Sequence, residues 1–211
     1  MQDYRSSFVE LESMRKAFEG ISSICLRKRR YRVLLATKLG SCEEPLDGDC
    51  SNPIFPGRLI RYYVGLKGEH RCNVLIHEML HACFWDVREE GIEESASDIA
   101  RVLWRIGYRN SDDLLLPDRD WPQMVVLRRR RWAFEKVSGL PAGCPGWVSG
   151  LSDKNKSIQI RTSLKNEREL EAVLRLTLLA CYPDFDEEAI RETSKDVSRA
   201  LWRIGYRRTL T

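Results

Sequence analysis

The chain has 211 residues, of which 43% are hydrophobic and 31% are charged, and its formal net charge is +4. These values are typical of an ordinary globular protein with one large domain or two small ones, and they argue against disorder. No apolar run approaches the roughly 18 residues that cross a bilayer, and the first residues lack the apolar core of a signal peptide. We therefore expect a cytoplasmic protein without a membrane span. The seven cysteines form no CxxC pair, which supports neither a disulfide framework nor a zinc ribbon.

The predicted elements begin with an N-terminal helical segment at residues 1–20, in which charged and apolar residues interleave. A basic run, "LRKRRYR" at 26–32, comes next, and a similar run, "LRRRRW", occurs at 127–132. We interpret both runs as strand ends with solvated arginines. Salt-sensitive binding of DNA or RNA through these arginines is the alternative.

The stretch "RLIRYYVGL" at 58–66 has the alternation of a half-buried strand. Ile60 and Tyr62 would share one face, and Arg61 and Tyr63 the other. An extended peptide can pair with the edge of a sheet, so we expect a peptide or protein substrate to add beside this strand.

The stretch "HEMLHACF" at 77–84 lies in a predicted helix over about 71–84. His77 and His81 are four residues apart, so both imidazoles project from one face of the helix and can share a metal ion. Glu78 can reach a water molecule on that ion without binding the ion, as a general base does. The spacing therefore predicts a zinc site on this helix.

A third ligand is expected on the next predicted helix, because His70, the one other histidine, precedes the first helix. The capping-box spacing of Asp86 and Glu89 marks the start of that helix. With a rise of about 1.5 Å per residue, Glu93 returns to the level of the histidines, whereas Glu89 is expected to lie too near the turn and Glu94 faces solvent. Five acidic residues are candidates: Glu89, Glu90, Glu93, Glu94 and Asp98.

The chain also contains an internal repeat. Residues 71–109 align with residues 169–207 without a gap, and 17 of 39 positions are identical, which indicates a tandem duplication. We predict an α+β fold of two small units, each a short β-sheet with an αα-hairpin, packed about a pseudo-twofold axis as an intramolecular pseudo-dimer within a monomer. The units are placed at 21–110 and 124–211, with a linker at 111–123.

The second unit lacks the proposed ligands. The residues that replace His77, Glu78, His81 and Glu93 are Arg175, Leu176, Leu179 and Arg191. Five acidic residues persist: Asp86, Glu89, Glu90, Glu94 and Asp98 correspond to Asp184, Glu187, Glu188, Glu192 and Asp196. The positions at which the second unit has no metal-binding side chain are expected to be the metal ligands of the first unit. The chain should therefore bind one ion. The two arginines of the second unit are expected to reach carboxylates or solvent where zinc would sit.

HExxH followed by a glutamate on the next helix resembles the gluzincin group of zinc metallopeptidases. The stretch "HEMLHACF…EEGIEESASDIARVLWRIGYR" is also similar to short, mostly uncharacterised HExxH proteins of bacteria and phages that end in a tryptophan and Gly-Tyr-Arg. The resemblance implies a zincin-like unit with zinc on His77, His81 and Glu93 and with Glu78 as general base. Thermolysin-like sequences would instead suggest Glu94 as the ligand, with Asp98 behind it.

The expected function is zinc-dependent hydrolysis of peptide bonds by an activated water molecule. One alternative is a non-enzymatic interaction protein in which zinc stabilises a small fold. A second alternative is a nucleic-acid-associated factor that uses the arginine runs, including Arg128 and Arg131.

Overall fold

The computed structural model describes residues 23–41, 43–113, 120–150 and 155–208, and it has a mixed α+β fold. These residues form four helices and three small sheets. None of these helices is long and apolar enough to cross a membrane. The predicted helical segment at 1–20 and the middle of the predicted linker lie outside the described residues.

The first half consists of β1 (Ser23–Leu26), β2 (Arg29–Ala36), β3 (Gly48–Cys50), β4 (Leu59–Tyr63), α1 (Gly68–Cys83), α2 (Glu89–Arg105) and β5 (Tyr108–Arg109). Its sheet has the order β1-β2-β4-β3, in which β2 and β4 are parallel and the other two pairs are antiparallel. The predicted alternation of β4 is confirmed, since Ile60 and Tyr62 are buried. The predicted sheet edge at β4 is wrong, because β3 pairs with its outer side.

The second half consists of β6 (Met124–Leu127), β7 (Arg130–Val137), β8 (Gly146–Ser149), β9 (Ser157–Arg161), α3 (Asn166–Cys181), α4 (Glu187–Ile204) and β10 (Arg207–Arg208). Its sheet has the order β6-β7-β9-β8. The parallel and antiparallel pairs follow the same sequence as in the first half. Each strand pair of the first sheet therefore has a counterpart of the same direction in the second.

The first residues of α2 and α4 differ from those that the sequence predicts. α2 begins at Glu89 behind Arg88, which forms no side-chain cap, so the predicted capping box at Asp86 is wrong. In the second half the cap is Asp186, whose carboxylate accepts a hydrogen bond from the backbone N–H of Ala189. Gly107 and Gly205, which follow the last residues of α2 and α4, both have positive φ, which glycine adopts without steric cost.

The two halves share one hydrophobic core and contact each other reciprocally. Strand β5 pairs with β10 in a two-stranded antiparallel sheet. Strand β1 of the first half packs on α4 of the second, and β6 of the second half packs on α2 of the first. Each half therefore covers a helix of the other.

The basic runs form the hairpin turns at these contacts. The backbone N–H of Arg27 donates to Asp196 at 2.8 Å, and that of Arg128 donates to Asp98 at 2.7 Å. The side chain of Lys28 lies 3.2 Å from Glu192, and Arg128 lies 3.0 Å from Glu94. Two acidic residues of each half, Glu94 and Asp98 or Glu192 and Asp196, therefore hold the turn of the opposite half.

Candidate metal centre

Helix α1 carries the two histidines of the HExxH stretch. Several side chains of this helix are fully buried, including Leu75, Ile76 and Met79. His77 and His81, which share one face of the helix, are partly exposed. The Nε2 atoms of the two imidazoles lie 3.0 Å apart. The predicted convergence of these two side chains is therefore present.

The carboxylate of Glu89 completes the cluster. Its Oε1 lies 3.1 Å from Nε2 of His77, and its Oε2 lies 2.9 Å from Nε2 of His81. The expectation that Glu89 lies too near the turn is wrong, because α2 begins at Glu89 and not at Asp86. The longer link between the helices brings the first residue of α2 back to the histidines.

Glu93 does not belong to the closely spaced group. Its carboxylate is still near enough for its charge to favour the protonated form of His77. Its assignment as the third ligand stays a prediction. Glu94 and Asp98, the thermolysin-like alternative, contact the side chain and the backbone N–H of Arg128, respectively.

His77, His81 and Glu89 can hold a metal ion, since one ligand atom from each lies within 4.8 Å of the others. Tetrahedral zinc with bonds of roughly 2.0–2.1 Å separates its ligand atoms by about 3.3 Å, close to the observed spacing. Burial first, and then the neighbouring His81, lower the pKa of His77. The imidazole is therefore favoured in the neutral form that binds metals.

Glu78 lies beneath the edge strand β3. Its side chain is buried, and a Cβ atom built on Gly48 would lie 2.7 Å from its Oε1. Burial raises the pKa of Glu78 to about 8, and the charges of Asp49 and Glu89 act in the same direction. A carboxyl group with a pKa near neutrality can accept and return a proton, which suits a general base.

The corresponding place in the second half contains a salt bridge. Nη2 of Arg175 lies 2.9 Å from Oε1 of Glu187. Arg191 forms an ion pair with Glu188. The expectation that these arginines reach carboxylates is confirmed. Leu176 replaces Glu78, and its Cδ1 faces Gly146 as Glu78 faces Gly48.

The exposed side of the cluster is bordered by an aromatic side chain. The indole of Trp85 lies 6.2 Å from the imidazole of His81, measured between ring centroids. His70 lies elsewhere, 2.7 Å from Asp47 in an exposed contact. Trp85 is therefore a neighbour of the cluster, and His70 does not contribute to it.

Comparison with protein-family models, curated proteins and solved structures finds no match. His77 and His81 converge as the sequence predicts, and Glu89, a candidate that the sequence ranks below Glu93, is the carboxylate that lies beside them. The signal that could have found it is its position at the start of α2, directly after the link from α1.

Proposed function

We propose that this protein is a zinc-dependent peptidase of the gluzincin type. His77, His81 and Glu89 would hold the ion, a donor set of two imidazoles and one carboxylate that leaves a coordination position open. The observation that carries the proposal is the approach of all three side chains to within hydrogen-bond distance of one another, with a buried glutamate next to the first histidine. Glu93 remains the alternative third ligand.

A zinc ion in this position would act as a Lewis acid toward a carbonyl group and would lower the pKa of a water molecule. Glu78 would take the proton of that water and deliver it to the leaving amine. Its burial beneath β3 keeps bulk water from its carboxylate and raises its pKa toward the pH at which it must act. The chemistry requires Glu78 as a base and does not require it as a ligand.

Strand β3 is the element we propose to bind an extended peptide. It is the edge strand of the first sheet, and it lies against Glu78 through Gly48. A peptide paired with β3 would place its backbone beside the cluster, with Trp85 available to contact a side chain. This position replaces β4, which is paired on both sides.

We further propose that the chain arose by duplication of a zincin-like unit and that its halves are related by a pseudo-twofold axis. The shared strand order, the reciprocal packing of β1 and β6, and the reciprocal contacts of Arg27 and Arg128 support this relationship. The second half would have lost metal binding and would act as a partner that stabilises the first. The chain would then be a monomer that contains its own dimer interface.

The experiment is a peptidase assay of zinc-loaded protein on an unfolded protein substrate, with Glu78→Gln as the test variant. Glutamine has the shape of glutamate but cannot accept the proton, so we expect normal zinc content and no cleavage. The variant Glu90→Gln changes an exposed carboxylate on the same hairpin and should cleave normally. Full activity in Glu78→Gln would rule out the proposed mechanism. Lack of activity in the wild type, together with a large fall in Tm on zinc removal, would favour a structural zinc.

A further inference from the structure

The second half contains a cavity of about 700 Å³ beside α3, and one of its lining residues, Arg175, occupies the position of His77 in the first half. Four cationic side chains line it, Arg161, Lys165, Arg168 and Arg175, together with one carboxylate, Glu171. Cavities of this volume accommodate small molecules. The charge of its lining residues is therefore strongly positive.

Three of these cations occur where the first half has uncharged or weakly basic side chains. Arg161, Arg168 and Arg175 occupy the positions of Tyr63, His70 and His77 in the alignment of the two halves. The fourth cation, Lys165, has a lysine counterpart in Lys67. The second half therefore has three arginines that line one cavity where the first half has a tyrosine and two histidines.

Two of the arginines are held in place by the protein. Arg161 donates from Nε to the carbonyl oxygen of Cys144 at 2.9 Å and from Nη2 to that of Leu140 at 3.0 Å. Arg175 is fixed by its salt bridge to Glu187. Guanidinium groups that are already ordered lose less conformational entropy when they bind an anion.

The other two cations are free to contact a ligand. Lys165 and Arg168 are exposed at the start of α3, and no ion pair to a carboxylate is found for either among the described residues. Glu171 can neutralise only one of the cavity's cations. An anion that approaches from solvent therefore meets a net positive charge.

We propose that this cavity binds a small ligand that carries a phosphate group. A phosphate dianion can accept several charge-assisted hydrogen bonds at once, and guanidinium groups match its geometry. A nucleic-acid strand would require a basic track along the surface, whereas these cations surround a single concave site. The site does not depend on metal binding by the first half.

The test is isothermal titration calorimetry of the full-length protein with inorganic phosphate and with pyrophosphate at constant ionic strength. We expect saturable binding with one ligand per chain. The double variant Lys165→Ser, Arg168→Ser should weaken it about tenfold or more, because it removes two charged donors. Serine is a favourable residue at the start of a helix, so this variant should fold normally. The matched control is Arg130→Ser, Arg131→Ser, which removes the same charge from exposed positions on β7 and should bind as the wild type does.

A His81→Ala variant separates this site from the metal centre, and its phosphate binding should be unchanged. Equal weakening in the Arg130, Arg131 control would overturn the proposal, because binding would then reflect overall charge. Loss of binding in His81→Ala would overturn it as well, since the phosphate would then be bound at the metal centre. Tighter binding of succinate than of phosphate would also contradict the proposal. So would tighter binding of a single-stranded oligonucleotide, if the Lys165→Ser, Arg168→Ser variant does not weaken that binding. The absence of saturable phosphate binding would contradict it as well.

Discussion

The guanidinium of Arg175 binds the carboxylate of Glu187 in the second half at the place where the imidazole of His77 meets Glu89 in the first. In one half the carboxylate faces two imidazoles and can share a metal ion with them. In the other half a side-chain cation takes the position of that ion. The acidic residue at this position therefore contacts imidazoles in the first half and a guanidinium in the second.

This relationship predicts that a metal site can be rebuilt in the second half. The double variant Arg175→His, Leu179→His would place two imidazoles on α3 at the spacing of His77 and His81, next to the carboxylate of Glu187. We expect the zinc content to rise from one ion per chain to two, as measured by elemental analysis. The control Arg175→Gln, Leu179→Gln also frees Glu187 but supplies no imidazole, and it should remain at one ion. A rebuilt variant that also stays at one ion would show that the two places are not equivalent.

Gly48 is predicted to be essential for the position of Glu78. A Cβ atom at Gly48 would lie 2.7 Å from Oε1 of Glu78 and 2.7 Å from Cγ1 of Val74, so Gly48→Ala must displace β3 or the glutamate. We expect a loss of about 1–3 kcal/mol in the free energy of unfolding, measured by chemical denaturation, and a severe loss of any peptidase activity. The control Gly139→Ala, whose added Cβ would meet nothing within 4 Å, should change neither. A stable and active Gly48→Ala protein would contradict the packing of β3 on Glu78.

Asp98 is predicted to contribute to the stability of the whole chain. Its carboxylate is nearly buried and accepts the backbone N–H of Arg128 from the opposite half. Asp98→Ala leaves that N–H without its acceptor and should lower the free energy of unfolding by roughly 1–3 kcal/mol. Asp184→Ala, at an exposed position, is the matched control and should have little effect.

Because the halves share one core, thermal unfolding of the wild type should show one transition, and two separate transitions would contradict this packing.

Local patterns explain why much of the fold could be predicted from the sequence. The alternation of β4 and the helical spacing of His77 and His81 each depend on residues close together in the chain. The strand β3 could not be predicted, because its three residues, Gly48–Cys50, are too few to show a period. Its position became clear only from its pairing with β4.

The third member of the cluster depended on contacts that a sequence pattern does not contain. The sequence favours Glu93 because its capping-box spacing places the N-cap of α2 at Asp86, whereas the N-cap in the structure is Arg88, two residues later, and Glu89 follows it beside the histidines. The persistence of Glu187 also argued against Glu89 as a ligand. Glu187 is bound by Arg175, however, so its persistence does not exclude Glu89, and the alignment of the halves could not reveal this contact between two helices.

Zinc content is the measurement that tests the metal centre most directly. Elemental analysis should find one zinc ion per chain in the wild type, and Glu89→Ala should lose most of it, because the variant removes a ligand that lies within 3.1 Å of both imidazoles. Glu94→Ala should retain its zinc, since Glu94 pairs with Arg128 and Arg129. Retention of zinc in Glu89→Ala with loss in Glu93→Ala would contradict the assignment of Glu89 and move the third ligand to Glu93. Absence of zinc from the wild type after incubation with the ion would contradict the metal centre itself.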